Sequence, residues 1–285
     1  GLPMFGHGQV EGYSEKYGME YYRPYWDETP DQNLIHRHQS EIFPLLHRRK
    51  NFANVESFML YDFVNNGSVD ENVYAYSNYQ DGQASLVVYN NRFSSTSGWI
   101  RTSAPFLVKT GESSHLETRD LADALGLVGG ATDFVIFRDA QSKLNYIRSV
   151  QEIRERGMFF SLNAYNSQVL MDFNIVRGPE YEALNHYLNG RGVYDLNAVK
   201  RELLLAPVIY PLRKLLAQEN LEALLTPRAK VEQPIETPSA LEQSLALLRQ
   251  AGSEAQRLLN LQNLSLDVAG RDAANLVEEI NKYGG

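Results

Sequence analysis

The chain contains no cysteine, no long apolar run and no excess of basic residues. Without cysteine there are no disulfides and no thiolate chemistry, which favours a reducing compartment, and we predict a cytoplasmic location. No apolar run reaches the roughly 18 residues of a membrane helix, so we expect no membrane partner. The formal net charge of −8 argues against a nucleic-acid partner, because binding to phosphates needs clustered cations.

What the 285 residues do contain is the composition of an ordinary globular protein, 43% hydrophobic and 22% charged. A chain of this length can form two or three domains. Its seventeen tyrosines are compatible with sugar binding, because flat rings can stack on pyranose faces. Tyrosine also fills sheets and interfaces without any ligand, so composition leaves an enzyme, a binding module and a scaffold open.

The chain lacks the common cofactor and metal motifs. Gly6-His7-Gly8 has neither the Gly-Lys-Ser/Thr ending of a phosphate loop nor the three spaced glycines of a dinucleotide-binding loop. His36 and His38 are two residues apart and point in different directions on a helix, so they cannot share a metal ion. We therefore expect no cofactor and no metal site.

Three glutamates near the start of the chain suggest glycosidase chemistry, which uses two carboxylates about 5–9.5 Å apart. They are Glu11, Glu15 and Glu20, close to the end of a short buried strand predicted over residues 2–6. A solvated acidic loop is the alternative, because glycines and prolines predict an irregular segment over residues 7–32. Spacing alone leaves both interpretations open.

A helix is predicted over residues 34–50, where apolar residues recur at helical spacing and cations gather at the C-terminal end. Pro44 lies inside this helix and should kink or split it, because proline removes a hydrogen bond and crowds the carbonyl of Ser40. Short strands separated by turn residues follow, which is typical of an antiparallel sandwich. They are predicted over residues 58–64, 73–77, 85–89, 99–102, 134–138, 159–163 and 169–176. Helical stretches at 119–125 and 142–156 predict an insertion.

After residue 177 the chain is predicted to be helical to its end. Pro179 suits the first turn of one helix, and Asp195 can cap the next. Residues 226–238 predict a linker, and Ser239 with Glu242 forms a capping box for the last helix. The predicted domains are therefore residues 1–52, 53–177 and 178–285.

Three segments resemble the α-amylase family (glycoside hydrolase family 13). GLPMFGHGQVEG is similar to the family's eighth barrel strand, Gly-x-Pro-Leu-Ile-x-x-Gly-Gln-Glu, at Gly1, Pro3, Gly8 and Gln9, with Val10 where the glutamate usually follows. LIHRHQSEIFPLLHRRKNF resembles the eighth helix, and ASLVVYNN resembles a strand of the C-terminal β-sandwich. The resemblance covers about residues 1–110 and reaches residue 176 with insertions, whereas the segment from residue 178 has no assigned counterpart.

The resemblance implies an α+β multidomain chain. Residues 1–52 would be the end of a (β/α)8 barrel (strand 8 and helix 8), followed by an antiparallel β-sandwich with a helical insertion and an α-helical C-terminal region. Active sites of such barrels lie at the C-terminal face of the strands. His7, Gln9, Glu11 and Tyr13 are therefore implied to bind an α-glucan or maltooligosaccharide at the rim of the cleft. Tyr17, Tyr21, Tyr22, Tyr25 and Trp26 would stack on the sugar or pack between barrel and sandwich.

The family's catalytic residues are implied to lie upstream of Gly1. Its aspartate nucleophile follows strand four, its glutamate acid/base strand five, and a third aspartate strand seven, so no catalytic residue is expected in this chain. The chain is expected to be the C-terminal fragment of a retaining hydrolase or glucanotransferase, inactive alone, with the N-terminal remainder of the barrel as partner. Residues 1–50 should then be weakly ordered or lean on the sandwich. The alternative is a non-catalytic carbohydrate-binding or assembly module that uses exposed aromatics such as Tyr89 or Trp99.

Overall fold

The computed structural model describes residues 4–15, 23, 25–53, 55, 57–111, 113–225 and 240–259. The chain divides into two compact units, residues 1–196 and residues 197–285. The predicted limits at residues 52 and 177 stay predictions. No helix within the described ranges combines the length and apolarity needed to cross a membrane.

The predicted strand over residues 2–6 is wrong for its described part. Residues 4–6 form no strand, and the side chains of Met4 and Phe5 are 81% and 42% exposed. A strand is stable when neighbours bond to its edges and cover its faces, and no described strand pairs with this segment. Residues 1–3 lie outside the described residues.

The helix predicted over residues 34–50 is present and is split near Pro44, as predicted. Its parts are α1 (Gln32–Arg37), a π-helical turn (His38–Ile42), α2 (Phe43–His47) and a 3₁₀ turn (Arg49–Phe52). The N–H of Phe43 donates to the carbonyl of His38, five residues earlier. Pro44 has no N–H for the Ser40 carbonyl, and the wider π turn gives its ring room. That carbonyl instead lies 3.5 Å from the Lys143 ammonium.

Twelve strands follow within the described part of the chain. They are β1 (Met59–Tyr61), β2 (Val64–Asn65), β3 (Ser68–Val69), β4 (Val73–Gln80), β5 (Gln83–Asn90), β6 (Thr96–Ile100), β7 (Phe106–Thr110), β8 (Ser113–Glu117), β9 (Asp133–Asp139), β10 (Asn145–Ser149), β11 (Met158–Leu162) and β12 (Ser167–Arg177). The larger sheet has the order β1-β4-β5-β12-β9-β10, the smaller sheet β11-β6-β2-β3, and β7 pairs with β8. All these pairs are antiparallel.

One core joins the two sheets. Leu86 and Val88 of the larger sheet and Ile100, Phe160 and Leu162 of the smaller sheet belong to the same buried cluster. Buried and exposed residues alternate along β6 and β11, as expected for strands with one face on the core. The structure is thus α+β with antiparallel sheets and several helices, compatible with a β-sandwich plus helices. We call the two sheets with their shared core the sandwich.

The predicted helical insertion is only partly helical. α3 (Leu121–Ala124) lies within the stretch predicted at 119–125, and α4 (Val150–Arg156) is the second half of the stretch predicted at 142–156. Residues 145–149 form β10 instead, because Ile147 is fully buried opposite Ile136 of β9. Ser149 then starts α4 by accepting a hydrogen bond from the Glu152 N–H at 3.3 Å.

The helical segment before the sandwich packs on the outer face of the larger sheet. Leu45 and Phe52 contact a small cluster formed by Val87, Val169 and Met171. Polar contacts add to this packing at Arg48, whose guanidinium lies 2.8 Å from the Asp172 carboxylate, and at Lys50, 2.6 Å from the Asp81 carboxylate. Of the two alternatives predicted for residues 1–50, weak order or contact with the sandwich, Leu45, Arg48 and Lys50 show contact with the sandwich.

Helices also follow the sandwich, as predicted. They are α5 (Pro179–Leu188), α6 (Leu196–Leu215), α7 (Gln218–Leu225) and α8 (Ala240–Leu259). Pro179 occupies the first turn of α5, and α6 begins directly after Asp195. In the second unit the Asn220 amide donates to the Ser244 hydroxyl at 3.1 Å and joins α7 to α8. The predicted linker at 226–238 and Ser239 lie outside the described residues.

Candidate functional site

The four predicted substrate-binding residues lie in one closed turn. The N–H groups of Gly12 and Tyr13 donate to the carbonyl of Gly8 at 2.7 and 2.9 Å. The Gly6 N–H donates to the side-chain oxygen of Gln9 at 3.0 Å, and the Gln9 N–H donates to the Gly6 carbonyl at 3.2 Å. The turn therefore fixes the backbone from Gly6 to Tyr13.

Within this turn the side chains differ in exposure. His7 and Gln9 are exposed, Glu11 and Tyr13 are half-buried, and the ring centroids of His7 and Tyr13 are 6.1 Å apart. The carbonyl of Glu11 accepts the N–H of Asp31 at 2.8 Å, which ties the turn to the residue that caps α1. The structure thus brings the four residues together, and their contact with substrate stays a prediction.

Glu15 and Glu28 close the loop between the turn and α1 in a reciprocal way. The Glu15 carboxylate accepts the N–H groups of Tyr25 and Trp26 at 2.8 and 3.1 Å. The Glu28 carboxylate accepts the N–H groups of Ser14 and Glu15 at 2.7 and 3.0 Å. Glu15 is buried, so it is neither a solvated surface acid nor available as one of a pair of reacting carboxylates. Backbone N–H groups that are partly removed from water need partners, and the two carboxylates supply them.

The Glu15 contacts present two aromatic side chains to solvent. Tyr25 and Trp26 are 76% and 61% exposed although their backbone is held by Glu15. Their predicted roles, stacking on a sugar or packing between barrel and sandwich, stay predictions. Tyr17, Tyr21 and Tyr22, which were predicted to share their role, lie outside the described residues, as does Glu20.

A second polar site lies on loops at the ends of sandwich strands. It is a depression of about 490 Å³ lined by Asn65, Asn66, Ser68, Val69, Asp70, Glu71, Asn72 and Arg92. We call this depression, together with the aromatic residues Tyr74, Tyr89, Phe93 and Tyr165 on the neighbouring strands and turns, the loop-end surface. Sequence reasoning had singled out only Tyr89 of this group.

Asp70 is the most strongly bonded acid of the loop-end surface. One carboxylate oxygen accepts the backbone and side-chain N–H groups of Asn72 at 3.1 and 3.0 Å, and the other accepts the Thr96 hydroxyl at 2.9 Å. The Asn72 side chain, the Thr96 hydroxyl and the nearby Arg92 guanidinium hold the pKa of Asp70 below its usual range. Asp70 is therefore ionised at neutral pH, and its oxygens organise the loop.

Two aromatic pairs are connected to the depression by hydrogen bonds, although none of their four residues lines it. Tyr74 and Tyr89 are cross-strand neighbours with ring centroids 6.5 Å apart and planes 14° apart. Phe93 and Tyr165 have centroids 6.1 Å apart. Both pairs connect to lining residues of the depression. The Tyr89 hydroxyl donates to the Asn91 side chain at 3.2 Å, the Asn91 N–H donates to the Asn72 carbonyl at 2.8 Å, and the Tyr165 N–H donates to the Arg92 carbonyl at 3.2 Å.

A different aromatic surface crosses the smaller sheet. Phe159, Trp99, Val64 and Val69 are paired in order across β11, β6, β2 and β3, and all four are exposed. The ring centroids of Trp99 and Phe159 are 5.3 Å apart. We call these four residues the apolar stripe. Tyr89 and Trp99, which were proposed together as sugar-binding aromatics, therefore lie on different sheets.

Comparison of the chain with protein-family models and with curated proteins finds no match. Among the residues that the structure describes, no three His, Asp or Glu side chains are grouped so that they could hold a metal ion.

Sequence reasoning missed most of the loop-end surface. Phe93 and Tyr165 do carry a signal, because both lie in turn segments, NNRF and NAYN, rather than in strands. An aromatic residue in a turn has no place in the sheet faces that form a core, so its exposure could have been expected. The convergence of Asn72, Arg92 and Tyr165 depends on the sheet topology and has no local signal.

Proposed function

We propose that this chain is the C-terminal portion of an α-amylase-like glycoside hydrolase or glucanotransferase that acts on α-glucosidic bonds of starch- or glycogen-type glucans. The observation that carries the proposal is the order of its segments. A glycine-rich turn with Gly8 and Gln9, a helix split at Pro44 and an antiparallel sandwich with ASLVVYNN in β5 occur in this order. The same order is expected where strand 8 and helix 8 of the barrel are followed by the family's C-terminal sandwich.

In this proposal residues 1–52 are the end of the (β/α)8 barrel, and the turn from Gly6 to Tyr13 lies at the rim of the cleft. His7, Gln9, Glu11 and Tyr13 would contact the α-glucan. Support comes from the closed backbone of the turn and from its tie to Asp31, because a sugar-binding group is most effective when its backbone is already fixed.

The chemistry of the proposed parent enzyme is a retaining double displacement. An aspartate attacks the anomeric carbon while a glutamic acid protonates the leaving oxygen, and the same glutamate then deprotonates a water or sugar hydroxyl that releases the glycosyl group. These carboxylates would lie upstream of Gly1. Glu15 and Glu28 are unsuited to the task because both accept backbone N–H groups that hold the loop.

The sandwich would then support the end of the barrel. Leu45 and Phe52 bury apolar surface against β5 and β12, and the Arg48–Asp172 contact adds a directional polar link. Burial of this kind contributes roughly 25 cal/mol per Å² of apolar area, so packing is expected to dominate over the exposed ion pair.

The test is to read the coding sequence upstream of Gly1 and to express the longer product beside the chain itself. We expect the longer product to cleave maltoheptaose with retention of anomeric configuration, followed by proton NMR, and the chain alone to show no turnover. A stop codon in frame directly upstream, or cleavage by the chain alone, would contradict the proposal.

Variants of the longer product test the role of the turn. Glu11→Gln should raise KM for maltoheptaose because it removes a charged hydrogen-bonding group from the rim. Glu182→Gln, which changes an exposed acid on α5 in the same way, is the matched control and should leave KM unchanged. Equal KM values for both variants would argue against the predicted contact.

A non-catalytic carbohydrate-binding or assembly module is the second candidate. The observation that favours it is a pair of aromatic contacts at the sandwich surface, between exposed Tyr74 and half-buried Tyr89 and between exposed Trp99 and Phe159. A stop codon upstream of Gly1 together with measurable binding of a glucan by the chain alone would favour this candidate over the first.

A further inference from the structure

We infer that the loop-end surface is a carbohydrate-binding site, separate from the turn at Gly6–Tyr13, and that its ligand is an α-glucan chain. The carbohydrate class follows from the chemistry of the surface. The α linkage rests on the proposed function.

The first argument is the combination of side chains. A sugar offers an apolar ring face and a set of vicinal hydroxyl groups, so a site for it needs flat apolar surface beside both donors and acceptors. The loop-end surface combines a depression lined by acids, amides, Val69 and Arg92 with the Tyr74–Tyr89 and Phe93–Tyr165 pairs, which hydrogen bonds of Tyr89, Asn91 and Tyr165 connect to its lining residues.

The second argument is hydrogen-bonding capacity. Asp70 uses its oxygens on Asn72 and Thr96, but neither the Arg92 guanidinium nor the Glu71 carboxylate forms a hydrogen bond or ion pair with a described residue. Arg92 can donate to sugar hydroxyls and Glu71 can accept from them.

The third argument is charge complementarity. Asp70, Glu71 and Arg92 give the depression two negative charges and one positive charge. An anionic ligand such as a phosphate would meet two carboxylates, and a simple cation would meet a guanidinium. A neutral ligand with many hydroxyl groups suits the mixture of donors and acceptors better than either ion.

The fourth argument is that the loops are held in place before any ligand arrives. Asn90 is fully buried, and its side-chain amide donates to the carbonyls of Ser94 and Asn163 at 2.7 and 2.9 Å. The Asn90 N–H also donates to the carbonyl of Asn166 at 2.9 Å. Ligand binding therefore requires little further ordering of these loops.

The apolar stripe provides a natural comparison. It also exposes an aromatic pair, but the residues beside Trp99 and Phe159 in the stripe are Val64 and Val69, which cannot bond to hydroxyl groups. The two surfaces meet at Val69, which also lines the depression, whereas Trp99 and Phe159 lie on β6 and β11 and do not line it. Exposed aromatics alone would predict sugar binding at both surfaces, whereas the combination of ring faces and polar groups predicts it only at the loop-end surface.

Titration calorimetry of the whole chain with maltoheptaose and, separately, with cellohexaose tests the inference. We expect maltoheptaose to bind, with Arg92→Gln and Tyr165→Ala each weakening the affinity about tenfold. Tyr194→Ala, which removes an exposed tyrosine outside both the loop-end surface and the apolar stripe, is the matched control and should change the affinity less than about twofold. Far-UV circular dichroism of each variant shows whether its fold is retained.

A measurement on the unaltered chain keeps the inference testable if a variant fails to fold. In ¹⁵N-labelled protein, maltoheptaose should shift the amide resonances of Glu71, Arg92 and Tyr165 more than that of Trp99. No binding of either sugar at millimolar concentration, or shifts confined to Trp99, would overturn the site. Binding of cellohexaose alone, weakened by Arg92→Gln, would support the site and contradict the proposed α-glucan function.

Discussion

Gly157 joins α4 to β11 in a backbone conformation that other residues rarely adopt. Its φ is 81° and its ψ is −153°, a region used almost only by glycine. A Cβ atom added there would fall far inside van der Waals distance of the Ile100 carbonyl oxygen and 2.8 Å from the Arg101 Cα atom. Both neighbours are backbone atoms at the end of β6, so a side chain cannot be accommodated by rotating another side chain. We expect Gly157→Ala to destabilise the sandwich strongly.

The magnitude follows from two contributions. The unusual backbone conformation costs about 1–3 kcal/mol for a residue with a Cβ atom. Forcing an extra carbon into a packed site costs about another 1–3 kcal/mol. Together they predict a loss of about 4 kcal/mol in the free energy of unfolding. Gly82→Ala is the matched control, because Gly82 has a φ of 79° but no heavy atom within 4 Å of its added Cβ, so only about 1–2 kcal/mol of backbone strain is expected.

Urea unfolding measures the difference between the two variants. Trp99 lies in β6 next to Ile100 and reports on the sandwich, and a Trp26→Phe background removes the other tryptophan of the chain. With a slope of about 2–3 kcal/mol per M urea, Gly157→Ala should lower the midpoint by about 1.5 M and Gly82→Ala by about 0.5 M. Equal shifts of the urea midpoint for the two variants would show that the contact with the β6 backbone does not destabilise Gly157→Ala. That result would refute the prediction.

Three further predictions concern ionisable side chains of the sandwich. Arg177 donates to the Asp133 carboxylate at 2.7 and 3.1 Å and lowers its pKa, so this stabilisation is complete above the unfolded-state pKa of about 3.9 and is lost as pH falls through the folded-state pKa. Urea midpoints of Asp133→Asn and of the unaltered chain should differ at neutral pH and converge in strong acid. Burial raises the pKa of Tyr61 to about 12, so its contribution is complete below about pH 10 and is lost as pH rises through 12. The difference between alkaline absorbance titrations of the unaltered chain and Tyr61→Phe should isolate a phenol that ionises near pH 12, and ionisation near pH 10 would contradict its burial. Asp139 is buried and accepts three N–H groups and a hydroxyl, so Asp139→Ala should cost about 3 kcal/mol in urea unfolding, against about 0.5 kcal/mol or less for the exposed Asp123→Ala.

The strands with a strong local pattern could be predicted from the sequence. β4 and β5 are joined by Gln-Asp-Gly, and Asp81 and Gly82 both adopt positive φ values of 50° and 79°, as a two-residue hairpin turn requires. The break at Pro44 could be predicted because it follows from the chemistry of one residue. In these cases the determining interaction lies within a few residues of the chain.

Elements whose state depends on distant partners could not be predicted in this way. The stretch predicted as a helix over residues 142–156 contains β10, which is a strand because β9 lies beside it. The β7–β8 hairpin carries mostly exposed side chains, so it lacks the apolar alternation that marks a strand. Residues 4–6 show the reverse case, an apolar segment without a described neighbour to pair with.

The candidate sites follow the same rule. That His7, Gln9, Glu11 and Tyr13 lie close together follows from their nearness in sequence. The Glu28 carboxylate accepts the Glu15 N–H, and the Glu15 carboxylate accepts the Tyr25 N–H. No sequence pattern predicts either of these contacts. The loop-end surface is formed by three turns that are separate in sequence, and the order of the strands in the sheets brings them together.

The position of β5 in the larger sheet constrains the order in which the strands can pair while the chain is being synthesised. β5 pairs with β4 across a two-residue turn, but its other neighbour, opposite Leu86, is Leu170 of β12. During synthesis the β4–β5 pair can form early. The β5–β12 pair can form only after β6 to β11 and then β12 have been synthesised. Until then the inner strand of the sheet has an open edge and its apolar Val87 lacks the cover of Val169 and Met171. Ribosomal pausing or truncation before residue 167 should therefore yield a product that binds chaperones or aggregates.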